Sequence, residues 1–165
     1  MLNDINPMKV IGRFEGEYAW LSNFYASPIP IVIPNEIGCP HEMVAPTVEH
    51  YFQARKCIKY SDAYNILTLD TPGKAKREGR KVQMFSDWDN IKYDIMVEGL
   101  RLKFKIPELR AKLLATGDSL LLEGNNWHDN SWGSCSCSKC ASIRGKNLLG
   151  TALMQVRDEI RKGYI

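Results

Sequence analysis

Apolar positions along the chain change their period as the chain proceeds. Between Val10 and Ile33 they recur in short alternating runs around LSNFYASPIP, which predicts short β segments about a turn. The Pro- and Gly-containing stretch from Pro34 to Pro46 reads as a loop, and beyond it the spacing becomes helical. Thr47, following Pro46, is a candidate N-cap for a first helix through VEHYFQARKCIKY, and a second helix covers Asp62 to Leu69. Thr71 with Pro72 behind it opens a third, carrying GKAKREGRK. Ser86 begins a fourth as S-D-W-D, a capping-box variant with Asp where Glu is usual. Its stripe is Trp88, Ile91, Ile95 and Leu102, with Met96 flanking. Pro107 starts a fifth helix that stops at Gly117, and SLLLEG reads as a short strand. A last helix from Lys146 to Lys162 buries Leu149, Leu153, Val156 and Ile160.

These elements describe an α+β chain, predominantly helical, with a small N-terminal β region. At 165 residues, 44% of them apolar and 25% charged, the chain suits a compact single domain over 1–165. No repeat, linker or low-complexity tract divides it. The net charge of +3 is too small for a protein that coats DNA, so any preference for phosphate must come from local clusters. No run is long enough to span a bilayer, and MLNDINPMKVIGRFEG lacks an apolar leader, which together predict a cytoplasmic protein with no membrane partner. Five cysteines are an odd number, and Cys135, Cys137 and Cys140 crowd one loop, unlike a secreted disulfide framework.

Candidate chemistry begins in PTVEHYFQARK. Glu49, Gln53 and Lys56 stand at i, i+4 and i+7 and share about 60° of helical arc. Glu49 lies in the first turn, where the helix dipole favours an ionised carboxylate, and could act as a base or hold a ribose hydroxyl pair. Lys56 is a candidate amine nucleophile; the competing reading is a solvated helical face. The loop NNWHDNSWG gathers two tryptophans, His128, Asp129 and three asparagines without any periodicity. Its tryptophans could stack on a base or sugar, and Asp129 could complete an acid/base pair with Glu49. Otherwise the indoles plug the core edge and Asp129 makes an Asx-turn. GKAKREGRK concentrates Lys74, Lys76, Arg77, Arg80 and Lys81 near a helix N-terminus, with Arg80 the best phosphate ligand, although most such runs are solvated. C-S-C-S-K-C offers three thiolates for one corner of a zinc site, with Cys39, Cys57 or His41 as a fourth ligand. Free loop thiols are the simpler reading, and no cofactor is required.

Several ordered motifs then carry a resemblance: YAWLSNFYASPI, PTVEHYFQARK, AKREGR, WD, GLRLKF, LLATGD, the D-x-x-WG of DNSWG, and GKNLLGTALMQVR. From about Phe14 to Arg157 the chain resembles the YbiA-like or NADAR family. The resemblance implies a compact, mostly helical α+β domain that cleaves N-glycosidic bonds in nucleotide-like substrates. Family substrates include phosphoribosylated aminopyrimidines of early riboflavin synthesis and ADP-ribose attached to guanine, so the expected partner is a small ribosyl phosphate or an ADP-ribosyl group, free or on a nucleic acid. By motif position, the resemblance implies catalytic roles for Glu49, Lys56 and Asp129, and substrate contacts from Asn23, Arg80, Trp88 and Trp132. The departure is the Cys-rich insert at about 134–145, where relatives carry a short glycine-rich stretch; it bears on substrate choice.

Two chemical routes fit this reading. Either a carboxylate activates water against an oxocarbenium-like C1, or Lys56 attacks C1 to give a ring-opened Schiff base that water resolves. The lysine route is marginally preferred, because C1 of an aminal is at the aldehyde oxidation level. The rivals are a non-catalytic ADP-ribose or nucleotide-binding module and a zinc-dependent nucleic-acid adaptor.

Overall fold

The computed structural model describes residues 9–165, so the reading of the first eight residues lies outside the described residues. The chain enters through β1 (Val10–Ile11) and a 3₁₀ turn over Gly16–Leu21, inside a region where the apolar alternation had predicted only β segments. β2 (Ile29–Pro34) then realises a strict two-residue period, with Ile29, Ile31 and Ile33 buried and the residues between them exposed. Its antiparallel partner β3 (Pro40–Ala45) runs through the stretch read as a loop. The sequence conceals β3 because only Ala45 is fully buried; His41 and Glu42 face outward on an edge that needs no apolar alternation.

α1 (Val48–Arg55) starts where expected, with Thr47 Oγ1 accepting the His50 amide at 3.2 Å. It ends earlier than the periodicity predicts. After Lys56 the chain folds back, Cys57 bridges Met84, and Ile58 donates to the Gln83 carbonyl. α2 (Tyr60–Thr68) therefore begins two residues before Asp62. α3 (Pro72–Glu78) has the predicted Thr71 cap, which accepts the Lys74 amide, and Pro72 at its start. α4 (Trp88–Lys103) opens at Asp87, not Ser86, and no side chain caps it. Its buried face is broader than the expected stripe. Val97, Leu100 and Lys103 are buried while Ile91 and Leu102 are only half-buried, because α4 packs on both α1 and the C-terminal helix.

α5 (Pro107–Ala115) is followed by Gly117 at φ 56°, the left-handed turn that glycine tolerates. β4 (Leu120–Leu121) pairs in parallel with β1, and β5 (Gly124–Asn125) pairs in parallel with β6 (Ser134–Cys135). α6 (Leu148–Arg161) follows Asn147, itself left-handed, and buries Leu149, Leu153, Val156 and Ile160 as predicted. Arg101 clamps Glu159 through two bonds of 2.7 Å, joining α4 to α6. No helix of the described residues is long and apolar enough to cross a membrane.

Asn147 locks this end of the fold. Its side chain donates to the Leu121 carbonyl at 2.8 Å and accepts the Glu123 amide at 2.9 Å, so one residue sets the strand that precedes the loop 123–133. The insert leaves and returns beside it: Asn147 donates its backbone N–H to the Gly133 carbonyl, and Lys146 to that of Asn130. A Cβ at Gly150 would run into the Leu121 carbonyl and the Asn147 amide. Gly150→Ala gains about 1 kcal/mol of helix propensity, but the clash at a hydrogen-bonded carbonyl outweighs it. The expected result is a net loss of about 2 kcal/mol, a melting temperature about 5 °C lower, read by thermal unfolding.

Candidate active site

α1 is buried on every side, from Val48 to Ala54. Glu49 and Gln53 are therefore no part of a solvated face; each is only 6% exposed. They form one wall of a cavity of about 350 Å³ whose other walls come from the segments flanking the 3₁₀ turn, from α3 and the residues after it, from α4 and α6, and from the loop 123–132. Of the residues singled out in the sequence, Asn23, Glu49, Arg80, Asp129 and Trp132 line it. Trp88 and Lys56 do not. Trp88 packs behind Phe52 at 5.0 Å between ring centroids, and Phe52 in turn meets Trp132 edge-on at 5.2 Å. Lys56 is buried at the end of α1, close enough to feel the charges of Glu49 and Arg80, and burial holds its ammonium below the usual lysine range.

The basic run on α3 divides. Lys74 pairs with Asp70 and Lys81 with Glu78, both on the surface, whereas Lys76 on α3 and Arg80 in the turn just past its end reach the cavity. Lys76 also sits over the Phe24 ring at 5.8 Å. α3 approaches α1 closely because Gly79 has no side chain; a Cβ there would meet the Gln53 amide.

Asn23 is placed by the turn after the 3₁₀ segment. Lys103, fully buried, donates to the Ser22 carbonyl at 2.8 Å and holds that turn, and burial pushes its ammonium down to about 7. On the far wall Asn125 Oδ1 accepts the amides of Trp127 and Asp129, both at 3.2 Å, and its Nδ2 donates to the Asp129 carbonyl. Asp129 Oδ1 accepts the amides of Ser131 and Trp132, the Asx-turn that was the alternative reading, while its residue still lines the cavity.

Glu123 is a wall residue that sequence reasoning passed over. It is the acid of SLLLEG, where no spacing marks it as functional. Burial, and then the nearby charge of Asp129, push its carboxyl up to about 7. Burial likewise raises Glu49 above the usual carboxylate range, outweighing the Gln53 hydrogen bond of 2.7 Å and the charges of Lys76, Lys56 and Arg80. The expectation that the helix terminus would simply keep Glu49 ionised is thus offset by desolvation.

Among the described residues, the buried side-chain oxygens or nitrogens without a hydrogen-bond partner are Asn23 Oδ1, Gln53 Oε1 and Glu123 Oε2. All three residues line this one cavity. Unpaired buried polar atoms are costly and uncommon, and three of them around one cavity offer hydrogen-bonding positions that the protein itself leaves open. The insert 134–145 contributes none of the wall residues. The candidate fourth metal ligands are elsewhere: His41 bonds Tyr60, Cys57 donates to the Gln53 carbonyl, and Cys39 is exposed at the β2–β3 turn. The residue that joins Cys135, Cys137 and Cys140 is His128.

The family model of the NADAR domain matches residues 12–161, and the chain belongs to that family. It is 35% identical over 147 residues to the N-glycosidase YbiA of Escherichia coli, covering 87% of this chain and 82% of that one. The solved NMR structure of that protein superposes with a TM-score of 0.77 at 32% identity, over 94% of this chain and 87% of the other. The N-glycosidase Npun_R5314 of Nostoc punctiforme is 43% identical over 121 residues, 70% of this chain and 74% of its own. The riboflavin biosynthesis protein PYRR of Zea mays is 36% identical over 152 residues, 84% of this chain but 23% of that longer protein.

The Glu123 carboxyl generates a stability test. A carboxyl whose pKa is higher in the fold than in the unfolded chain favours the fold while protonated. Its contribution is complete below about 4.5 and is lost as pH rises through 7. Glu123→Gln removes that dependence. The variant should gain on the wild type by about 1–2 kcal/mol between pH 4.5 and 8, allowing for a half-buried side chain. Urea unfolding across that range measures the gap, and a gap that stays constant would show that Glu123 titrates alike in both states.

Proposed function

We propose that this chain is a hydrolase acting on N-glycosyl bonds, and that it cleaves the C1–N bond of a phosphorylated ribosyl substrate. The names of the YbiA and Nostoc relatives support the activity. The observation that carries the reading is the cavity itself, where Lys76 and Arg80 stand on one wall and Glu49, Glu123 and Asp129 border the space beyond. Cations of this kind suit a phosphate, and the aromatic walls of Phe24, Trp127 and Trp132 suit a base and a sugar face.

Glu123, held near neutral pKa, keeps a proton that it donates to the departing nitrogen as the C1–N bond breaks. Glu49 takes the proton of the water whose oxygen adds to C1, with Gln53 orienting its carboxylate. Asn23 Oδ1 and Gln53 Oε1 accept from sugar hydroxyls. Asp129 fixes the loop through Oδ1 and keeps the Glu123 proton in place by its charge. Trp88 steadies Phe52 and so the Trp132 indole. Lys56 does not border the cavity, which favours activated water over a Schiff base. None of these steps calls for a cofactor. The substrates to be compared are aminopyrimidine ribose phosphates, which the name of the maize relative supports, and ADP-ribosylated guanine, free or on DNA.

Glu49→Gln, Glu123→Gln and Asp129→Asn should each lower kcat by about a hundredfold or more with the fold retained. Release of base, followed by mass spectrometry over both substrate classes, is the assay. Tight binding with no release from any of them would replace the enzyme by a binding module. Arg80→Ala should raise KM for the phosphorylated substrate and leave kcat nearly unchanged; an equal loss on the dephosphorylated analogue would remove the phosphate contact. Borohydride added during turnover should trap no ribosyl adduct, whereas an adduct on the peptide containing Lys56 would restore the lysine route.

A further inference from the structure

Beside the cavity, and outside its walls, four side chains with metal-ligand chemistry converge. His128, Cys135, Cys137 and Cys140 each present one ligand atom, all within 4.8 Å of one another. His128 Nδ1 lies 3.3 Å from Cys137 Sγ and 3.4 Å from Cys140 Sγ. We propose that this is a structural zinc site of three thiolates and one imidazole, which fastens the Trp127–Asp129 wall of the cavity to the insert.

The distances match the ion. With Zn–S of about 2.3 Å and Zn–N of about 2.0 Å, tetrahedral edges are about 3.5 Å from nitrogen to sulfur and about 3.8 Å between sulfurs. The His128 contacts fall just inside the first value, and no pair of the four atoms is more than 4.8 Å apart, so side-chain shifts of about 1 Å or less bring them to the tetrahedral edges. A disulfide would instead need two sulfurs about 2.05 Å apart, and all three cysteines are unpaired. Four protein ligands complete the tetrahedron and leave no open position, which makes the site structural. Thiolate and imidazole donors favour zinc over calcium or magnesium.

The backbone is built to hold this set. Cys135 ends β6, and the 3₁₀ turn Ser138–Cys140 folds Cys140 back so that its amide reaches the Cys137 carbonyl at 3.0 Å. His128 has φ 68°, a left-handed conformation that costs a non-glycine residue about 1 kcal/mol or more. Asn125 secures the residues on either side of it. The result sends consecutive side chains to opposite tasks: Trp127 and Asp129 face the cavity while the His128 ring faces the thiols. Asn130 supplies the outer shell, donating to Cys140 Sγ at 3.2 Å and accepting the Cys135 amide at 2.9 Å. On binding, the ion displaces one proton from each of three thiols, and three protons pass to solvent. No electron is transferred, and the complex carries a single negative charge.

Elemental analysis of the wild-type protein, purified without chelator or added metal, should find about one zinc per chain, released when a mercurial titrates the thiols. Exchange for Co²⁺ should give the thiolate charge-transfer and intense visible bands of a tetrahedral site. Replacing Cys135, Cys137 and Cys140 together by Ser should abolish both, and His128→Ala should weaken zinc binding at least about tenfold. Wild-type protein that carries no zinc and takes up neither Zn²⁺ nor Co²⁺ at micromolar concentration would overturn the proposal, a result that needs no variant to fold. Stoichiometric zinc kept by the triple variant would also overturn it. So would a native mass two hydrogens light, localised to a disulfide among these cysteines.

Discussion

The enclosure of α1 is the constraint on which the rest of the molecule depends. β2, α2, α3 and α4 pack around it, and Gly79 and Gly99 let α3 and α4 come close enough to leave it no solvent-facing side. Two of its polar side chains, Glu49 and Gln53, point into the cavity, while His50 turns the other way to bond Thr47 and the Leu69 carbonyl. The burial that closes the core against Val48, Tyr51 and Ala54 thus strips water from Glu49 and raises its proton affinity. Core packing and the acid/base character of the cavity have the same cause.

Around that helix, buried polar residues position backbone that could not position itself. Lys103 reaches the turn of Asn23, Asn125 wraps the loop of Asp129, and Asn147 sets the strand that delivers Glu123. Arg157 does the same below α5, where it bonds Thr116 and the Ser119 carbonyl. Each is buried with its hydrogen bonds made, so each would be expensive to replace by an apolar residue that leaves carbonyls and amides unpaired.

Much of this was legible in the chain. The caps at Thr47 and Thr71, the alternation of β2 and the buried stripe of α6 are local signals, and local signals survive folding. What was hidden depends on distant partners. β3 is an edge whose pattern is set by solvent, and α1 ends early because Cys57 and Ile58 pair with a segment some 26 residues on. The motif residues Asn23, Glu49, Arg80, Asp129 and Trp132 do gather, while Trp88 and Lys56 stand behind the wall. Glu123 escaped because no neighbour in sequence marks it, and its character comes from burial and then from Asp129 across the loop. His128 stood in the marked loop, but its three thiol neighbours lie 7 to 12 residues on and come to it only in the fold.

The neck of the insert has a consequence for how this fold can diversify. Backbone bonds from Lys146 to Asn130 and from Asn147 to Gly133 tie the two ends together, and Gly145, where a Cβ would meet Gly133 and Ser134, permits the close approach. Because the ends are fixed by the body of the protein, loops of quite different length can be exchanged there at little cost in closure entropy. The position is therefore a natural graft point, where an exchanged segment changes what braces the neighbouring Trp127–Asp129 wall while the body of the fold is left alone.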